Sequence, residues 1–296
     1  LRYYFMQRLL YFLVYPILWL ISLLPFWLLY LKSTLLFYVV YYVIGYRKKV
    51  VLSNLALVFP DKTTSERRAI AKGFYRHLCD LIFETIKGIT ISEATLRKRY
   101  VIENAEIFDA YHAEGRSLLV CCAHYANWEW SSLVPVMTKL KGFGVYKPLV
   151  NPYFDSLVKN IRGKFGATIV SNKKAVTTLF KMSKQQIPSI TLLVADQTPK
   201  LGAFKLRDTF MGVDVPVFTG PEDLAKRLDF NIGYLKTQKV KRGYYRVTLI
   251  PLSETPQQTA PFEITRLFLD EIEKQIHAAP QYYLWSHKRW KHRKTD

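Results

Sequence analysis

The residues with the most chemical potential in this chain stand together in CCAHYANWEW, Cys121 to Trp130: an apolar run ends at His124, and Glu129 follows five positions later among aromatics. An imidazole with a pKa of about 6.5 can take a proton from a hydroxyl, and a carboxylate can fix its tautomer and stabilise the cation that forms. On one regular helix the two side chains would sit roughly 140° apart and face different ways. They can cooperate only if His124 lies in a strand-to-helix loop and Glu129 in the first turn of the following helix, from where its carboxylate folds back onto the ring. The spacing therefore predicts a strand, a loop and a helix across this stretch.

The surrounding chain supplies such elements. Short runs rich in β-branched residues, Ser117 to Ala123, Gly144 to Leu149, Ala167 to Val170 and Ser189 to Ala195, alternate with helical stretches. That alternation predicts an α/β fold with a mainly parallel central sheet flanked by helices. Sheets of this kind bind ligands beyond the carboxyl ends of their strands, which is where His124 falls. Asp196 and Gln197 close the fourth run and are predicted to reach the same edge, contacting substrate or bracing the site. Upstream, Thr63 or Thr64 can cap a helix with Glu66 in its first turn and Ile70, Phe74, Leu78, Leu81 and Ile82 on one face. Downstream, a helix from Gly220 to about Leu228 precedes two strands, Ile232 to Val240 and Tyr244 to Pro251, around a Lys241-Arg242-Gly243 hairpin turn. A last helix, Ala260 to His277, leads to the basic tail HKRWKHRK.

The chain has 296 residues, half of them hydrophobic, and a formal charge of +20 from 43 Lys and Arg against 23 Asp and Glu. Such a surface attracts polyanions: nucleic acid, phosphorylated lipid or an acidic carrier protein. The sequence carries no recognised RNA- or DNA-binding module, so nucleic acid is not the expected partner. Three cysteines, Cys79, Cys121 and Cys122, lack CxxC spacing and read as reduced thiols, hence a cytosolic face. His77, His112, His277, His287 and His292 show no HExxH or other metal spacing, so neither a metal nor a cofactor is expected.

The sharpest compositional change comes first. Leu9 to Leu31 contains no charged residue, and Ser33 to Tyr46 adds an uncharged, aromatic-rich stretch. About 20 apolar residues suffice to cross a bilayer. Residues 1–46 are therefore expected to form a membrane anchor, transmembrane or interfacial, ahead of a catalytic domain over 47–296. Arg47, Lys48 and Lys49 favour a cytoplasmic position for that domain.

HYANWE matches the HxxxxE version of the HxxxxD/E motif of glycerolipid-type acyltransferases. With RKKVVLSNLALVFPD, HYANWEW, YKPLVNP, the DQTP segment, MGVDVPVFTGP and APQYYLWSHKRWKHR in order, nearly the whole chain resembles the bacterial lipid A biosynthesis (late, secondary) acyltransferases. The resemblance implies a membrane-bound O-acyltransferase on the cytoplasmic face of a bacterial inner membrane. It implies His124 as general base and Glu129 as its orienter, with acyl carrier protein or coenzyme A as acyl donor, and the hydroxyl of an anionic glycolipid, a lipid A precursor, as acceptor. No acyl-enzyme is implied, in keeping with a sequence that has no GxSxG elbow. Asn127, Lys147 and Arg162 become candidate donors to the thioester oxyanion. Lys147 stands where the family often shows arginine, which weakens bidentate phosphate recognition there, and Arg162 is the better candidate for orienting a substrate phosphate. Acylation of a lysophospholipid or aminoacyl lipid, and noncatalytic binding of membranes or nucleic acid by a basic protein, are the competing functions; thioester turnover separates them.

Overall fold

A computed structural model describes residues 2–294. The chain opens with two apolar helices, α1 (Arg2–Leu23) and α2 (Phe26–Tyr38), the second continued by a π-helical turn over Val39–Ile44. Pro25 holds extended backbone between them, with no cap of its own. Then come α3 (Lys48–Val58), α4 (Thr64–Lys87), α5 (Glu93–Arg99), β1 (Tyr100–Ile102) and α6 (Glu106–Ala113). The central part of the chain runs through β2 (Leu118–Cys122), a 3₁₀ helix (Glu129–Met137), β3 (Lys141–Tyr146), α7 (Pro152–Gly163), β4 (Thr168–Ser171), α8 (Ala175–Lys184) and β5 (Ser189–Val194). A small hairpin, β6 (Leu206–Phe210) and β7 (Val213–Val217), precedes α9 (Gly220–Leu228), β8 (Asn231–Lys241), β9 (Tyr244–Ser253) and α10 (Glu263–Ala278).

Seven strands form one sheet in the order β1-β9-β8-β2-β5-β3-β4. The run from β8 to β4 is parallel, while β9 pairs antiparallel with β8 and β1 parallel with β9. The α/β expectation holds, with β1 and β9 as its antiparallel margin. β2 is central and buried along its whole length, which is why Leu118–Cys122 reads as an unbroken apolar run rather than an alternating one. The chain leaves β2 toward β3 on one side and returns through β5 to cross to β8 on the other. That reversal opens a crevice beyond the carboxyl ends of β2 and β5.

Several boundaries differ from the sequence reading. β3 begins at Lys141 and ends at Tyr146, so Lys147 to Leu149 lie in the following loop. The element after His124 is 3₁₀ rather than α, and it contains Pro135, which has no N–H to donate to a longer helical ladder. The β6–β7 hairpin turns at Met211 and Gly212, both at positive φ; the glycine takes that conformation without strain, and the pair matches the type I′ turn that joins twisted strands. In α4 the predicted cap is present: Thr63 accepts from Glu66 N while Glu66 Oε2 accepts from Thr63 N, a reciprocal capping box. Phe74 and Leu81 are buried and Ile70 and Leu78 pack against the core as expected, while Ile82 is exposed and the inner face also carries His77, Asp80 and Glu84.

Candidate active site

The sheet register brings the central pair together. Cys122 of β2 lies opposite Val194 of β5, so His124 and Asp196 each stand two residues beyond a paired position on adjacent parallel strands. His124 Nδ1–H donates to Asp196 Oδ1 at 2.7 Å, and the Gln197 amide donates to His124 Nε2 at 3.2 Å. This pattern describes a neutral imidazole whose proton is on Nδ1 and whose Nε2 lone pair faces outward. Burial alone would lower the His124 pKa, but the Asp196 carboxylate, with a further contribution from Glu129, outweighs it and raises the value above the ordinary imidazole range. Asp196 is itself buried, and although burial favours its neutral form, the charge and hydrogen bond of His124 hold it below the usual carboxylate range.

Glu129 makes no hydrogen bond to His124. Its two oxygens are taken by Arg162 in a bidentate pair, Nε to Oε2 at 2.9 Å and Nη2 to Oε1 at 2.7 Å, and by Trp128 Nε1 at 3.1 Å. The expectation that Glu129 orients His124 is therefore corrected: Asp196, 72 positions away in sequence, holds the ring, because strand pairing carries it there while the Tyr125–Trp128 loop turns Glu129 toward α7. For the same reason the bidentate face of Arg162 is engaged by Glu129 rather than open to a phosphate. Arg162 Nη1 has no hydrogen-bond partner among the described residues.

Asn127 is also reassigned. It is fully buried and points away from the crevice, donating through Nδ2 to Glu84 Oε2 at 2.6 Å and accepting at Oδ1 from Trp130 N at 3.0 Å. It cannot donate to an oxyanion beside His124. Instead it ties the loop to α4, where Glu84 also accepts from Tyr30 and Tyr245 hydroxyls at 2.9 and 2.7 Å. Burial raises the Glu84 pKa, opposed by nearby Lys239 and these hydroxyls. A second tie comes from His77, which donates through Nε2 to Ala126 O at 3.0 Å and accepts at Nδ1 from Lys239 Nζ. Burial pushes the His77 pKa down to about 3, so it stays neutral and keeps this tautomer at any ordinary pH. Ala126 adopts a positive φ of 50°, costly for a residue with a Cβ, and the bonds from His77 and to Tyr282 O hold it there.

The C-terminal segment closes the site from a third side. Leu284 N donates to His124 O, Tyr125 bridges Tyr283, and Thr198 Oγ1 donates to Arg289 O. Trp285, Trp290 and Arg289 are buried, and the two indoles stack at 5.8 Å. Arg289 and Trp290 of the HKRWKHRK tail are thus core rather than part of a solvated basic tail, because Trp290, stacked on Trp285 just before the tail, carries enough apolar surface to draw it inward.

His124, Glu129, Arg162, Lys147 and Gln197 line a single cavity of about 580 Å³, within the usual range of about 300–1,000 Å³ for small-molecule sites. Lys147 is exposed at its rim. The rest of the lining is mostly apolar, including Val158, Ile169, Val176, Leu193, Pro221 and Leu224. Cys122 also lines it, but burial, helped by Asp196, pushes its thiol up to about 12, which leaves negligible thiolate for nucleophilic attack. Among the described residues no cluster of three or more His, Cys, Asp or Glu could hold a metal ion.

A buried carboxylate holding an imidazole whose other nitrogen, bonded to Gln197, lines a largely apolar cavity defines a site suited to activating a hydroxyl beside an apolar substrate. Comparison with known proteins gives the family. The model for bacterial lipid A biosynthesis acyltransferases matches residues 2–292. The lipid A biosynthesis lauroyltransferase of Escherichia coli strain K12 is 24% identical over 254 residues, covering 83% of this chain and 80% of that protein. A lipid A biosynthesis acyltransferase of Haemophilus influenzae is 22% identical over 237 residues, covering 79% and 72%. The chain belongs to the bacterial lipid A biosynthesis acyltransferase family.

Proposed function

We propose that the protein transfers a fatty acyl chain from acyl carrier protein to a hydroxyl of a lipid A precursor, with His124 as general base and Asp196 as the group that orients it. The observation that carries this reading is His124 itself, with Nδ1 on a buried carboxylate and Nε2 turned to a largely apolar cavity. In the reaction the acceptor hydroxyl loses its proton to His124 Nε2 as its oxygen bonds to the thioester carbonyl carbon. The resulting oxyanion then collapses, the C–S bond breaks, and the departing thiol takes the proton back from the imidazolium. The products are an ester and the free carrier thiol, with no covalent enzyme intermediate and no cofactor.

Gln197 occupies the lone pair that must receive the proton, so acceptor binding requires its amide to yield; the displaced N–H is then beside the reacting carbonyl and serves as an oxyanion donor. Arg162 Nη1 is the second donor, aimed by the Glu129 pair, and Lys147 at the rim meets an anionic headgroup or carrier phosphate. The apolar segments Phe5–Leu23 of α1 and Phe26–Ile44, α2 with its π-helical continuation, are each long and apolar enough to cross a membrane and keep the enzyme at the lipid surface. By the resemblance and the Arg47-Lys48-Lys49 cluster, that surface is the cytoplasmic face of the inner membrane.

The test is radiolabelled acyl transfer from acyl carrier protein to a tetra-acylated lipid A precursor by the detergent-purified protein. His124→Ala is expected to lose about 10³-fold or more of the rate. Absence of product with wild-type protein would reject the acceptor and send the assay to lysophospholipids and aminoacyl lipids. Undiminished product from His124→Ala would reject the general-base assignment.

A further inference from the structure

The exposed side chains of α1 and α2 are overwhelmingly apolar, among them Phe12, Leu13, Leu20, Trp27, Leu31 and Leu35. Length and composition alone would let α1, or α2 together with its π-helical continuation to Ile44, stand across a bilayer. Their seating on the protein does not. Along α1 the shielded positions from residue 5 on are Gln7, Tyr11, Val14, Tyr15, Leu18, Ile21 and Ser22, a stripe at helical spacing that runs almost from end to end. Near the amino end of α1, Gln7 Nε2 donates to Val150 O at 3.5 Å, Asn151 Nδ2 donates to Gln7 O at 3.3 Å, and Tyr11 stacks on Tyr153 of α7 at 5.6 Å. At its carboxyl end, Lys87 donates to Ser22 O and Leu24 O at 2.8 and 2.9 Å, and Thr90 to Ser22 O at 2.6 Å.

The two clamps are 15 residues apart, about 22 Å of helix, and the elements that make them, α4 and α7, are rich in charged side chains. A helix clamped to a charged domain at both ends cannot cross a bilayer unless that domain enters it too. α2 is seated in the same manner, with Leu29, Ser33, Phe37 and Tyr41 inward at helical spacing and Ser33 Oγ bonded to Asp80 at 2.7 Å.

The amino-end clamp also ties α1 to the cavity. Val150, 81% exposed, and Leu149 project from the loop between β3 and α7. This loop is fixed: Leu149 N donates to Asp155 Oδ1 at 2.8 Å, and Asn151 caps α7 by accepting from Tyr153 N and Phe154 N. Lys147 and Leu149 of the same loop line the cavity. One loop therefore forms a wall of the cavity on one side and continues the apolar face of α1 on the other.

We infer that the α1–α2 hairpin lies in the plane of a single leaflet, and that the Leu149-Val150 loop dips into that leaflet beside it, so that the cavity opens onto the lipid and an acyl-bearing acceptor enters sideways without leaving the bilayer. The occupant of this face is lipid, with Lys147 at headgroup level as its cation. The inference rests on the proposed acyl transfer for the meaning of the entry route, while the docking geometry stands apart from it.

The three native cysteines are buried, so an introduced thiol can be labelled selectively with an environment-sensitive dye. Leu9→Cys, Leu13→Cys, Leu20→Cys and Val150→Cys, all at exposed positions, are labelled and bound to vesicles of phosphatidylethanolamine and phosphatidylglycerol. The lipids carry a nitroxide either near the glycerol or near the methyl end of the chain. Asp109→Cys on α6, at the opposite end of the sheet, is the control. All four labels are expected to be quenched about twofold more by the shallow nitroxide than by the deep one, and the control by neither. If the Leu13 label responds mainly to the deep nitroxide while Leu9 and Leu20 respond to the shallow one, α1 spans and the inference fails. An unquenched Val150 label beside quenched α1 labels equally overturns it. None of these readings depends on turnover, so a failure here is distinct from a failure of the proposed reaction.

Discussion

At the scale of residues, the proposed role of His124 as general base makes its proton inventory the expected source of the pH dependence. The reactive form of a general base is the neutral one, and Asp196 raises the pKa of His124 above the ordinary imidazole value of about 6.5. The transfer rate is therefore expected to rise with pH through an acid limb above that value. Asp196→Asn removes the anion and leaves burial as the larger influence, so the limb should move to lower pH while the plateau falls by about 10²–10⁴. A kcat/KM profile against pH checks both changes; a reduced plateau with an unmoved limb would show that Asp196 acts only through packing. Cys122, beside the site but held as a thiol, explains why no cysteine chemistry is needed here.

At the scale of elements, the 3₁₀ helix that begins with Glu129 is held against β3 by one absent side chain. A Cβ on Gly142 would collide with the Pro135 ring, with the proline's own backbone close behind. Gly142→Ala should thus push the segment off the sheet, lowering stability by about 1–3 kcal/mol and, through Glu129 and Arg162, lowering turnover; thermal unfolding and transfer assays measure the two. Thr63→Ala is the contrast. Loss of its capping box should cost α4 about 1 kcal/mol with no effect on turnover below the melting transition, since Thr63 is exposed and remote from the cavity lining. Equal turnover losses in the two variants would mean that overall stability, not the position of the 3₁₀ helix, sets activity.

At the scale of the whole molecule, a net charge of +20 acts on any acidic partner before contact. With acyl carrier protein as donor, KM is expected to increase several-fold between about 0.05 and 0.3 M salt, where the screening length falls below about 10 Å, while kcat changes little. The measurement is a salt series with acyl carrier protein and acyl coenzyme A side by side. A KM insensitive to salt would argue against electrostatic capture of the carrier. Some of the cations are internal: Arg242 and Lys239 pair with buried Asp80, and Arg289 lies in the core.

The sequence by itself determined what depends on neighbours in the chain. The apolar run ending at His124, the alternation of strands and helices, the Thr63 cap and the uncharged stretches Leu9 to Leu31 and Ser33 to Tyr46 are all local patterns, and each local pattern sets its own backbone preference. Residue choice at a strand end was readable too, since Asp196 and Gln197 stand at the active edge because β5 ends there. Only the tertiary structure decided which groups meet. The partner of His124 is set by the β2–β5 register rather than by the five-residue spacing to Glu129. Asn127 turns inward to donate to the buried Glu84 carboxylate, and the start of the basic tail folds under where Trp290 stacks on Trp285. The apolar helices show the limit most plainly: hydropathy measures how much lipid a helix can tolerate, whereas the contacts at its two ends decide whether it stands across the membrane or lies along it.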